Sequence, residues 1–188
     1  MSIIVDDLSA RIARRLSAER ERRGWSLGDL AEKCGVSKAM LSKIEREEAS
    51  PTATILARVA TAFGQTLAGL LESPDGEPPK LLLGRDQPRW QDPASGYVRK
   101  QVFQSPRNPL DLVEVHLPPG ARVSFPASSY ALIRQVVWLL SGRLEIREGT
   151  RISALDAGDR LEFGPPADSE FHNPGQKRAR YLVALMRQ

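Results

Sequence analysis

Apolar residues recur every three or four positions in the first part of this chain and every other position in the second. The two patterns meet at SPDGEPP, residues 73–79. A period near 3.6 puts apolar side chains on one face of a helix, whereas strict alternation buries one face of a strand. One chain that does both in succession needs two units with different hydrogen-bonding plans. Three prolines, a glycine and two acids in seven residues make the junction a stiff, solvated spacer. The pattern therefore predicts a helical unit over residues 1–72, a linker at 73–79 and a β unit over 80–188.

The helices can be delimited by their caps. Leu8, Ile12 and Leu16 share a face, and Gly24 ends that helix. Ser26 caps a second helix carrying Leu27, Leu30 and Ala31, which stops at Cys34-Gly35. Ser37 caps a third, with Met40, Leu41 and Ile44 facing inward. Ser50-Pro51-Thr52 opens a fourth, with the proline in its first turn, and Ile55, Leu56, Val59, Ala60 and Phe63 on its faces. Gly64 closes it, and TLAGLL forms a short fifth. Beyond the linker, DLVEVHLPPG, QVVWLLSGRLEIREG and RYLVALM are strands cut by Gly and Pro turns, as in a sandwich or barrel.

Composition excludes several classes. With 41% hydrophobic and 27% charged residues in 188, the chain has the make-up of an ordinary globular protein. A single cysteine rules out a disulfide framework and a cysteine zinc site, and fits a reducing cytoplasm. MSIIVDDLSARIARR carries aspartates where a secretion signal would be basic and then apolar, and no apolar run approaches the roughly 20 residues of a membrane helix. The net charge is +4, but residues 1–80 hold 12 basic and 12 acidic residues. Any affinity of the first half for nucleic acid must come from where its charges sit, not from their sum.

The stretch LGDLAEKCGVSKAMLSKIER, residues 27–46, is two short helices about a tight turn. Ala31 is small where the helices cross, Gly35 turns the chain, and Val36 fills the gap. The second helix presents Lys38, Ala39, Ser42 and Lys43 outward. In a helix-turn-helix that helix enters the major groove. Residues 16–71 resemble the XRE, or lambda-repressor-like, regulators through RERRGWSLGDLAEKCGVS, LSKIE, and SP followed by LARVATAFG. The departures are Lys38-Ala39 where the family often has Gln, and Glu47-Glu48-Ala49 where it usually has Gly. Lys38 and Lys43 suit guanine edges or phosphates, and Ser26 and Ser37 stand at helix N-termini that suit phosphate. Arg46 is expected on the DNA backbone. The resemblance implies a structural ion pair between Arg20 and Glu45, a five-helix head, and a double-stranded DNA operator as partner.

Residues 110–185 resemble a cupin, a double-stranded β-helix or jelly-roll barrel, through Gly120, Gly142, AGDRLEF and Asn173. The family's metal-ligand slots fall on Pro126, Ser128, Gln135 and Ser169, none of them an imidazole or carboxylate. The two histidines, His116 and His172, fall outside the slots. The resemblance thus implies a barrel without a metal or other cofactor. Phe125, Ser128, Tyr130, Gln135, Val137 and Ser169 either line a pocket for a small organic effector or simply fill the barrel. Val136, Trp138 and Leu140 face outward as an apolar strip suited to a homodimer. Three functions follow. The first is a cytoplasmic, dimeric, non-enzymatic DNA-binding regulator with a metal-free sensing barrel. The others are a DNA-tethered cupin enzyme and a constitutive DNA-binding dimer with a purely structural barrel.

Overall fold

The structure, a computed structural model, describes residues 3–71, 80–105 and 108–187. The spacer expected at 73–79 lies outside the described residues, as does the side chain of Leu8. Five helices come first: α1 (Ile3–Arg22), α2 (Leu27–Cys34), α3 (Lys38–Glu45), α4 (Ala53–Ala62) and α5 (Leu67–Leu71). Short polar side chains start four of them; at α5 the Thr66 hydroxyl accepts from the Gly69 N–H. The Ser26 hydroxyl accepts from the Asp29 N–H while the Asp29 carboxylate accepts from the Ser26 N–H, a reciprocal capping box. Ser37 and Thr52 accept from Met40 and Ile55. Thr52 rather than Pro51 thus opens α4, and Pro51 lies outside the helix. The hydroxyl wins that position because it satisfies an N–H that the proline ring leaves bare. Gly35, with φ of 65°, ends α2 and returns its N–H to the Ala31 carbonyl. Leu16, Leu30, Leu41, Ile44, Leu56 and Val59 are buried together in the helical core.

Among the described residues ten strands follow: β1 (Arg89–Gln91), β2 (Val98–Ser105), β3 (Asn108–Leu117), β4 (Arg122–Phe125), β5 (Ile133–Ser141), β6 (Arg143–Glu148), β7 (Arg151–Asp156), β8 (Arg160–Glu162), β9 (Ser169–His172) and β10 (Ala179–Arg187). They form a six-stranded sheet, β1-β2-β3-β10-β5-β8, facing a four-stranded sheet, β4-β9-β6-β7. The pairings are antiparallel. Alternation sends Val113, Val115, Val137, Leu139, Ile146, Phe171 and Tyr181 inward, where they form the barrel core. The Tyr181 ring stacks on Phe171 at 5.8 Å, and Phe171 stacks on Phe163 at 5.9 Å.

Gly142 carries the chain from one sheet to the other. Its φ is 85°, and a Cβ there would lie 2.9 Å from the Ala179 Cα and the Arg178 carbonyl oxygen, so only glycine fits. Asn173 is fully buried and ties loops together: its amide donates to the Leu117 and Lys177 carbonyls, and its oxygen accepts from the Gly175 N–H.

The helices close one end of the barrel. Helix α4 packs against β4 and α1 against β1. The Ala53 N–H donates to Asp92 at 3.1 Å, and the Thr54 hydroxyl donates to the Ser124 carbonyl at 2.9 Å. No helix among the described residues is long and apolar enough to cross a membrane.

Candidate functional site

Helix α3 turns its apolar residues Leu41 and Ile44 into the core and leaves Lys38, Ala39 and Lys43 exposed, with Ser42 half-buried. Ser37 caps the helix, and no acid stands in its first turn. Its N-terminal N–H groups therefore keep an uncompensated positive end, the environment a phosphate prefers. Ser26, at the start of α2, is also exposed, but Asp29 already occupies that helix end with a carboxylate. Arg46 donates twice to the exposed Glu48, at 2.8 and 2.9 Å, so a phosphate at Arg46 would compete with this carboxylate.

Behind the exposed face, Arg20 grips Glu45 through two hydrogen bonds of 2.7 and 2.8 Å and also donates to the Trp25 carbonyl. Both side chains are almost buried, at 14% and 12% exposure. The planar guanidinium matches the carboxylate fork and fixes α3 against α1.

In the barrel, the side chains at the four cupin ligand slots do not converge on a metal. Pro126 leads into a 3-10 turn, Ala127–Tyr130, which leaves Ser128 exposed. Ser169 is buried, and its hydroxyl is hydrogen-bonded to the Tyr130 phenol. His116 sits on Glu114 and His172 on Glu145, each at 2.9 Å and only partly buried. Among the described residues no three His, Cys, Asp or Glu side chains come close enough to hold a metal ion. One amide and one engaged hydroxyl supply no anionic donor, so the slots do not fit a divalent cation.

The slot region instead borders a cavity of about 70 Å3 at the junction of helices and barrel. Phe125, Tyr130 and Gln135 line it. The other three residues expected there do not. Ser128 faces solvent, Val137 is covered completely by its neighbours, and Ser169 is shielded behind Tyr130. The barrel does not enclose the cavity by itself: Ala57 and Thr61 of α4, and Gln65 just after it, form one wall. Tyr97, just before β2, and Arg99 of β2 form another. Burial keeps the Tyr130 and Tyr181 phenols protonated, with pKa values well above the ordinary range.

Residues 16–70 match the HTH_3 helix-turn-helix family. They form an XRE-type helix-turn-helix domain. The HTH-type transcriptional regulator SutR of Escherichia coli K12 is 26% identical over 178 residues, which covers 94% of this chain and 95% of that protein. A solved HTH_3 family transcriptional regulator from Vibrio cholerae superposes with a TM-score of 0.79 at 20% identity, over 97% of this chain and 98% of that one. The structure of FeII HppE superposes with a TM-score of 0.51 at 18% identity, over 95% of this chain and 99% of that one. The XRE-type domain is followed by a cupin-type β barrel.

Around the junction of the XRE-type domain and the barrel, sequence reasoning missed Gln65, Arg99 and Ser129. Arg99 was open to discovery. Tyr97, just before β2, and Arg99, its second residue, share the buried face, and an arginine at an inward alternation position is unusual enough to note. Gln65 had no such signal, because it follows the helix-ending Gly64 in what reads as a plain loop.

Proposed function

We propose that this chain is a cytoplasmic, DNA-binding transcriptional regulator that reads a pseudo-palindromic operator as a homodimer. Residues 1–72 act as its head and 80–188 as its barrel. The observation that carries this reading is the free face of α3, with Lys38, Ala39 and Lys43 exposed on a helix-turn-helix of XRE type. Ser26, Ser37, Ser42 and Arg46 surround that face and contact the DNA backbone or base edges. The transcriptional regulators similar to this chain support the reading.

The barrel pairs two copies through the outer face of β5 and β10. Trp138 and Met186 there are 51% and 53% exposed. Trp138 stands opposite Leu182, and Val136 opposite Ala184, in the strand register. An apolar strip of this kind supports an interface, and two linked heads bind adjacent half-sites with added affinity. The barrel performs no metal chemistry, because its slots offer no imidazole or carboxylate, and its cavity takes a small effector.

The test is operator selection from random duplexes, followed by affinity measurements. Lys38→Ala should cost about 1–3 kcal/mol and relax one base-pair preference if Lys38 reads a base. If it meets only phosphate, all sequences should weaken alike. Failure of the wild-type chain to select any sequence would refute the reading.

A further inference from the structure

The cavity between α4 and the barrel gathers polar atoms that have nothing to bond. Among the described residues, Arg99 Nε, Gln135 Nε2, Ser129 Oγ and Gln65 Oε1 are buried and without a hydrogen-bond partner, and all four residues line this one space. Arg99 and Gln135 are each only 7% exposed. Buried polar groups are nearly always satisfied, so four unsatisfied ones around a single cavity mark a place where a polar ligand belongs.

The charge of the ligand follows from Arg99. Its guanidinium donates to the Gln101 side chain at 3.4 Å and pairs with no carboxylate among the described residues. The buried acids among the described residues, Glu19, Asp92 and Asp111, are committed elsewhere: Glu19 accepts from Arg22 and Arg23. Asp92 accepts from the Ala53 and Ser95 N–H groups. Asp111 lies four residues along β3 from Val115, the strand partner of Arg99, so it is about 13 Å away. An arginine stays charged in a protein, and an unpaired buried charge is costly. A single planar cation wants a single planar anion, and a carboxylate matches its fork. A tetrahedral dianion would need more cationic partners than this wall provides. Much of the remaining lining, Phe125, Ile133, Phe171 and Leu185 among it, is apolar and suits an organic body.

We infer that this cavity is the binding site of a small organic carboxylate, held by Arg99 and Gln135 on the barrel side and by the Gln65 carbonyl oxygen on the helical side. Gln65 Oε1 is an acceptor, so the ligand presents a hydroxyl or amine to it. Ser129 serves either end of the ligand. The occupant touches head and barrel at once. On the regulator reading above, on which this part rests, its binding and operator binding are linked, and each changes the affinity of the other by the same factor.

The experiment uses the full chain and a panel of small monocarboxylates (acetate, propanoate, lactate, 2-aminobutanoate and benzoate), each paired with its uncharged amide. Thermal melts are followed by circular dichroism. At least one carboxylate should raise the melting temperature by mass action while its amide does not. Arg99→Met should abolish that shift without lowering the melting temperature of the unliganded chain, since it removes an unpaired charge. If Arg99→Met does not fold, Gln135→Leu and Gln65→Met carry the test, and each should weaken the active carboxylate by about tenfold. The site is refuted if no carboxylate outperforms its amide, or if these variants keep the full shift. Operator binding is measured on the same preparation. DNA binding without any carboxylate shift removes the site and leaves the regulator reading. A carboxylate shift in a chain that binds no DNA keeps the site and removes the regulator reading.

Discussion

Asp92 of the barrel caps a helix of the head: its carboxylate, 3% exposed, accepts the backbone N–H of Ala53 at 3.1 Å. The same side chain accepts from the Ser95 N–H and hydroxyl, which holds the β1–β2 turn. Thr52 satisfies a different N–H of α4, so the helix start is anchored once from its own chain segment and once from the barrel. A negative charge at this end is favoured by the helix dipole.

Removing that acid should therefore loosen both units. Asp92→Ala leaves the buried Ala53 N–H and the part-buried Ser95 N–H without their acceptor, and the expected cost is about 2–3 kcal/mol. Urea denaturation of the full chain measures it. A midpoint equal to that of the wild type would show that water replaces the carboxylate and that the contact does not anchor α4.

The Arg20–Glu45 pair gives a second expectation. Glu45→Ala strands a guanidinium that is 14% exposed, and loss of one partner of a largely buried pair should cost about 2–4 kcal/mol. Glu45→Gln, which keeps one acceptor, should cost less. Chemical denaturation curves for the two variants check the order, and equal losses would mean that the charge contributes nothing.

Glu47 is the one non-glycine among the described residues with a left-handed backbone, at φ 62°. It follows α3 in a Schellman turn, with the Glu48 N–H donating to the Lys43 carbonyl at 2.8 Å. This is where the resembling regulators usually carry glycine, and the geometry explains why. Glu47→Gly should stabilise the chain by about 0.5–1 kcal/mol, because relief of the left-handed strain exceeds the added freedom of the unfolded chain. A lowered melting temperature would contradict this.

Glu19 predicts an acid-sensitive step. Burial opposes its charge, but hydrogen bonds from Arg23, Arg22 and Gln65 outweigh that and bring its pKa from 4.5 down to about 2. A carboxyl with a depressed folded pKa stabilises the fold above its unfolded value and loses that contribution as the pH falls. The loss should run from about pH 4.5 to pH 2 and amount to roughly 3 kcal/mol. Glu19→Gln should flatten the wild-type stability profile across that window. Parallel profiles would rule out Glu19 as the group responsible.

Some of this molecule was readable residue by residue. Ser26 and Ser37 announced helix starts because a short hydroxyl chain before an apolar face satisfies an otherwise bare N–H. Gln135 and Val137 announced an inward face by simple alternation with the outward Val136 and Trp138. Pro51 misled, because its ring tolerates a first helical turn as readily as the position before the cap. Ser128 misled too, because the 3-10 turn at Ala127–Tyr130 carries the ligand slot it was assigned by resemblance out to solvent.

The chain by itself determined two units, the helix-turn-helix and its outward lysines, and a barrel whose ligand slots hold no metal-binding chemistry. These rest on local period, on caps, and on the chemical identity of single side chains, all of which survive without knowledge of neighbours. Only the tertiary structure decided that α4 covers the open end of the barrel, and that Gln65, Arg99, Ser129 and Gln135 meet there with bonding groups unspent. Their meeting depends on the angle at which α4 docks on β4, with Asp92 holding the helix start. No periodicity encodes such an angle, because it is set by contacts between residues far apart in the chain.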